Sequence, residues 1–281
     1  MSRPVVLAAA TGATSLALLA LAVAFGWLGP DVDRGAVFCE VSDGPLAQPV
    51  NTLSNLGFVL AGIAVAVRAG RPGGLGRSTM SGRPALATAY ACLVVLLGPA
   101  SMAMHATESR VGGHLDMLSM YLVASFAVSY AAMRRWRRGP GLMALVFVAC
   151  LAGCEAAGSW GGHVPVVDFA GNLAFGVLLL AALVLERQHA ARGAVALDLR
   201  WLALALGSLA VAFAVWNTAR TGRFGCFPHS LYQGHAVWHL LCAVSAYCLF
   251  RLYVSERPSD DRALSSPPAP DPPSTASAAR A

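Results

Sequence analysis

The chain has 281 residues, of which 57% are hydrophobic and only 12% charged, about half the charged fraction of an ordinary soluble domain. Its 20 basic residues are all Arg and the net charge is +6; because the Arg gather at the ends of long apolar runs, the surplus reads as membrane topology and not as a nucleic-acid surface. This excludes a soluble globular protein and predicts an all-α, polytopic transmembrane helical bundle.

A crossing of the hydrocarbon layer takes about 20 mainly apolar residues. Eight runs qualify, at 4–28, 51–69, 85–105, 114–133, 141–157, 166–186, 201–218 and 231–254. The first begins with a single charge, Arg3, as a signal peptide does, but it outlasts the apolar core of about 7–15 residues usual there. An uncleaved helix is the preferred reading, and cleavage stays open. Arg then alternates loop by loop. The segments 68–83, 134–138, 187–200 and 251–262, with Arg3, hold fifteen, whereas the loops between them hold Arg34, Arg110, Arg220 and Arg223. The positive-inside rule places both termini in the cytoplasm and the Arg-poor loops outside. From Ser255 the chain turns to Pro, Ser and Ala and is read as a disordered cytoplasmic tail, 255–281.

Ionisable residues within apolar spans are costly and therefore functional candidates. Ser101 and His105 lie one helical turn apart at the end of the third span. The loop TESRVGG leads to His114 and Asp116 at the start of the fourth, which becomes an antiparallel neighbour of the third. His235 and His239 stack on one face in the opening turns of the last span. Three imidazoles with an open fourth position are the ligand set of a hydrolytic zinc centre, with two His as haem ligands the competing use. Asp116 is placed as general base, and Ser101 as a donor to a developing oxyanion or a holder of the metal-bound water. A lone H-x-x-x-H is a weak signal; its recurrence at one depth with S-x-x-x-H and an Asp is a stronger one. His163, His189 and His229 read as interfacial residues and His114 as part of a loop. Glu155, Asp168 and Asn172 either line a cavity or reach out to water. Cys92, Cys150, Cys154, Cys242 and Cys248 lie within apolar runs as small buried hydrophobes, while Cys39 and Cys226 fall in polar connections.

The stretches PVNTLSNLGFVLAG (49–62), GPASMAMHATESRVGGHLDMLSMYL (98–122) and LYQGHAVWHLLCAVSAYCLFRLY (231–253) resemble those of alkaline ceramidases. They also match the wider superfamily of membrane hydrolases that includes progestin/adiponectin-type receptors. The resemblance implies a seven-helix ceramidase-like core at 31–254, opened by the Asn51-Thr-Leu-Ser-Asn55 motif, with residues 1–30 an added N-terminal helix. It implies Zn2+ held by His105, His235 and His239, a lipid amide as substrate, and roles for Asp116 and Ser101. Family ceramidases also bind calcium just before that first core helix. Glu40 matches, Ser42 offers a hydroxyl and Asp43 lies near, but Val37 and Gln48 stand where the family tends to have carboxylates, which weakens the case for Ca2+. Cys39 and Cys226 match cysteines of the family and imply a disulfide on the outer face, two free thiols being the alternative.

The resulting expectation is a zinc-dependent amidohydrolase that takes a ceramide-like lipid from the bilayer, with its site on the outer side of a bacterial plasma membrane (heavy Arg and Ala use suggesting a GC-rich genome). Its rivals are a lipid sensor or receptor with structural metal, and a transporter using Glu155 and Asp168 as a proton relay. Acyl-chain length and oligomeric state are not legible in the sequence.

Overall fold

Apolar segments of 19 to 26 residues with charges held to their ends have one stable form inside a bilayer, the α-helix, because no water is present to satisfy backbone N–H and C=O groups. The structure, a computed structural model, describes residues 1–193 and 195–258. Among them eight segments are long and apolar enough to cross a membrane. α1 is Arg3–Ala24. α2 (Pro49–Ser54) and α3 (Leu56–Ala69) together make the second crossing. Then follow α4 (Pro84–Thr107), α5 (Arg110–Arg135), α6 (Pro140–Gly158), α7 (Ala170–Ala191), α8 (Leu199–Thr218) and α9 (Gly234–Val254). Two short antiparallel pairs complete the architecture: β1 (His163–Val164) with β2 (Asp168–Phe169), and β3 (Val195–Ala196) with β4 (Arg257–Pro258). The protein is an all-α, multi-pass membrane bundle.

The second crossing is not the continuous helix that hydropathy suggests. It breaks at Asn55, whose N–H turns to Thr52 O, and polar side chains satisfy the Asn51 carbonyl that the break leaves free. The Ser54 hydroxyl donates to Asn51 O at 2.7 Å and the Asn55 amide at 2.9 Å. The polar motif thus sits at an interruption of the helix inside an otherwise apolar span.

The α4–α5 connection is also shorter than its composition suggests. α5 starts at Arg110, so His114 is helical. Ser109 caps it by accepting from the Gly112 N–H at 3.0 Å. The two glycines that resemble a loop are there for close approach. A Cβ on Gly112 would lie 2.6 Å from Ala103 O, and one on Gly113 2.7 Å from Arg34 Cγ.

α4 and α5 form the middle of the bundle, with 56% and 67% of their most apolar windows buried, against 11% for α1 and α6 and 17% for α7 and α8. Exposed side chains such as Leu145, Leu180 and Leu204 therefore form a surface suited to lipid and not an aggregation liability. At the Arg-rich end, Tyr90, Phe126, Tyr130, Phe250 and Tyr253 pack ring on ring. Beside them Arg134 is buried against Glu186, with Glu256 at 3.7 Å, and lies over the Tyr130 ring at 4.3 Å.

Glu256 also lies 3.3 Å from His189 Nε2 and accepts from the Thr79 N–H at 3.0 Å. Ser255–Pro258, which composition assigned to the tail, are thus fastened to the bundle; 259–281 lie outside the described residues. α7 packs on α5 and α6, and α8 packs on α9, but α7 and α8 hardly touch each other.

Candidate functional site

His105 closes α4, while His235 and His239 open α9, one turn apart on the same face. The packing of these two elements at the Arg-poor end brings the three rings together. Their centroids are 4.8, 4.8 and 4.4 Å apart, and all three side chains are buried. One donor atom from each lies within 4.8 Å of the others, an arrangement that could hold a metal ion. The Nε2 atoms of His105 and His235 are 3.2 Å apart. Two nitrogens bound at about 2.0–2.1 Å to one tetrahedral cation stand about 3.3 Å apart, so the spacing suits a shared ion. Among the described residues His235 Nδ1 has no hydrogen-bond partner, so Nε2 is the ring nitrogen that faces His105.

The ring of His239 has its direction set by Ser54, beside the interruption of the second crossing. The Ser54 hydroxyl owns one proton and donates it to Asn51 O at 2.7 Å. Its oxygen, 2.7 Å from His239 Nδ1, therefore accepts, so Nδ1 carries the hydrogen and Nε2 presents a lone pair. His105 Nδ1 is likewise held, 2.7 Å from Gln48 Oε1. Phe38 stacks on His235 with centroids 3.9 Å apart and covers the group from the Arg-poor side. It is followed directly by Cys39, which is joined to Cys226 by a disulfide with Cα atoms 5.6 Å apart.

A cavity of about 480 Å³ runs inward from the imidazoles. Ser101, Asp116, His235 and His239 lie at its polar end, with Arg34 also lining it. Its remaining wall is almost entirely apolar, including Phe175 and Leu179 of α7 and Leu206 and Phe213 of α8. These two helices both line the cavity and hardly touch each other, which leaves a seam between them. At the Arg-poor end the seam is tied by a contact of Arg220 with Asp168, which also has His163 Nδ1 at 3.9 Å.

Other candidates are placed elsewhere. Asn172 lines the cavity, whereas Glu155 and Asp168 are not among its lining residues; Glu155 pairs with His114 at 3.7 Å. Both oxygens of Glu40 accept backbone N–H groups at the start of α2, from Val50 at 2.7 Å and Asn51 at 2.8 Å, which leaves it a helix cap. Ser42 accepts from Gly44 N, and Asp43 is exposed. A different acidic group, Asp31, Asp33 and Glu108, comes within 4.8 Å of itself. Burial first, and then the neighbouring Asp31, push the Glu108 carboxyl above its ordinary range. Gln48, Ser54, Phe38 and Arg34 were not identified from sequence as members of the site. Only the polarity of the Asn51–Asn55 motif within an apolar run hinted at Ser54.

The sequence model of the family described as Ceramidase matches residues 41–262. No curated protein matches the chain, and neither does any solved structure.

Proposed function

The chain belongs to the ceramidase family, and from that premise we propose that it is a zinc-dependent amidohydrolase acting on a ceramide-like lipid amide drawn from the bilayer. The observation that carries this reading is the meeting of three imidazoles from α4 and α9 with Asp116 and Ser101 at the polar end of an apolar chamber. The donor set fits zinc, which favours imidazole nitrogen and in catalytic sites takes three protein ligands.

His105, His235 and His239 would hold the ion. When bound, zinc supplies a Lewis acid that polarises a carbonyl and lowers the pKa of water to about 7. The chain does the rest. The cavity takes the acyl and long-chain-base tails through the α7–α8 seam and keeps bulk water out. Asp116 accepts the proton of the attacking water and returns it to the leaving nitrogen, breaking the C–N bond to release a fatty acid and an amine. Ser101 donates to the oxygen that becomes negative as water adds. Phe38 holds the rings from behind. The positive-inside rule applied to the Arg distribution supports an outward-facing site.

The test incubates purified protein with a panel of N-acyl lipids, with and without chelator, and reads released fatty acid by mass spectrometry. Chelator-sensitive release, lost together with bound zinc in His235→Ala, is the expected result. Unchanged hydrolysis in a metal-free His235→Ala/His239→Ala protein would sink the mechanism.

A further inference from the structure

One residue outside the proposed ligand set governs which face His105 presents, an inference that rests on the metal reading above. We propose that Gln48 is the positioning residue that fixes the tautomer of His105 and so aims its Nε2 lone pair at the metal site. Gln48 is fully buried at the N-cap of α2, and both ends of its amide are engaged. Nε2 donates to Gly35 O at 2.8 Å and to Glu108 Oε1 at 2.6 Å. A backbone carbonyl can only accept, so this end of the amide is the NH2 group and the opposite end is the oxygen. That oxygen accepts from Asn51 Nδ2 at 3.1 Å and lies 2.7 Å from His105 Nδ1.

An amide oxygen has no proton to give. The hydrogen therefore sits on His105 Nδ1, and the neutral ring carries its lone pair on Nε2. That is the atom 3.2 Å from His235 Nε2. The same amide ties the segment around Gly35, the α4–α5 turn at Glu108 and the start of α2 around one imidazole. Without an acceptor at position 48, the proton is free to sit on Nε2, where an incoming cation must displace it. Loss of such supporting partners lowers metal affinity about 10–100-fold.

The experiment uses the full chain in detergent, stripped of metal, and titrates it with Co2+ as a spectroscopic probe while recording the melting temperature of each variant. Gln48→Leu and Gln48→Glu both lose the donations to Gly35 and Glu108, so both are expected to melt below wild type. Only Gln48→Leu loses the acceptor that faces Nδ1. It is expected to weaken Co2+ binding about 10–100-fold, with Gln48→Glu staying closer to wild type than to the Leu variant. Wild-type affinity in Gln48→Leu overturns the inference. So does an equal loss in both variants that tracks melting temperature, which is what a packing role alone requires. If wild type itself binds no Co2+, the metal reading falls and this inference with it, an outcome distinct from the other two.

Discussion

The Nε2 atoms of His105 and His235, 130 residues apart in the chain, face each other at 3.2 Å in a buried site. Left to themselves, two such nitrogens share one proton at best, while His235 Nδ1 has no partner. The spacing lets one proton be shared between the two nitrogens and equally suits two corners of a coordination shell. Metal should therefore stabilise the fold. With free Zn2+ at a hundred times its dissociation constant, linkage contributes about 2.7 kcal/mol, or roughly 5–10 °C in Tm for a chain of this size. Melting curves with and without added Zn2+ check this. A shift of equal size in His235→Ala would place the stabilising ion elsewhere.

Asp116 and Ser101 both line the polar end of the cavity, yet neither is proposed as a ligand. Asp116→Asn removes the proton acceptor and is expected to lower kcat by about 10²–10⁴. Ser101→Ala removes one donor to the oxyanion and is expected to cost about 10²–10³. Both should retain one zinc per chain by elemental analysis. Loss of metal from either variant would make that residue a ligand and close the open position that turnover needs.

Acid should loosen the opposite end of the bundle. Burial on its own would raise the Glu256 carboxyl, but His189, Arg134 and the Thr79 N–H together outweigh it and hold it from an ordinary 4.5 down to about 2. A carboxylate held below its unfolded value stabilises the fold fully above about pH 4.5 and loses that contribution as pH falls toward 2. Glu256→Gln is expected to cost about 1–3 kcal/mol at pH 7. The gap between wild type and variant should shrink between pH 4.5 and 2 in melting experiments. A gap independent of pH would show that the charge contributes nothing.

What could be read in advance follows a physical divide. The spans and the pairs Ser101/His105 and His235/His239 were legible because hydropathy and the helical period are local properties. That His105 would meet α9 was read from the common depth of the three His at the outer helix ends, and the resemblance strengthened it. Gln48 and Ser54 were not recognised as supports, since their partners lie 57 and 185 residues away and any polar residue beside a span looks like an interfacial one. Gly112 and Gly113 were read as loop because glycine permits turns and close helix contacts alike, and only the neighbouring Ala103 and Arg34 decide between them. Glu155 and Asp168 appeared equal in sequence, two acids beside one connection. In the fold one pairs with His114 and the other ties the α7–α8 seam through Arg220.

The seam makes a prediction about chain length. Gly176 of α7 lines the cavity, and a Cβ built on it meets nothing within 4 Å. A Cβ at 176 therefore meets open space, and Gly176→Leu adds bulk beside the space assigned to a lipid tail. Replacing a mid-helix glycine also favours the helix by roughly 0.5–1 kcal/mol, so loss of activity cannot be blamed on unfolding. The added bulk should raise KM for long N-acyl substrates well above wild type while a short-chain amide is affected much less, with bound zinc unchanged. Initial rates on a graded series of acyl lengths read this directly. A uniform loss across the series, or none at all, would mean that the tail lies elsewhere and that the space between α7 and α8 is not its route.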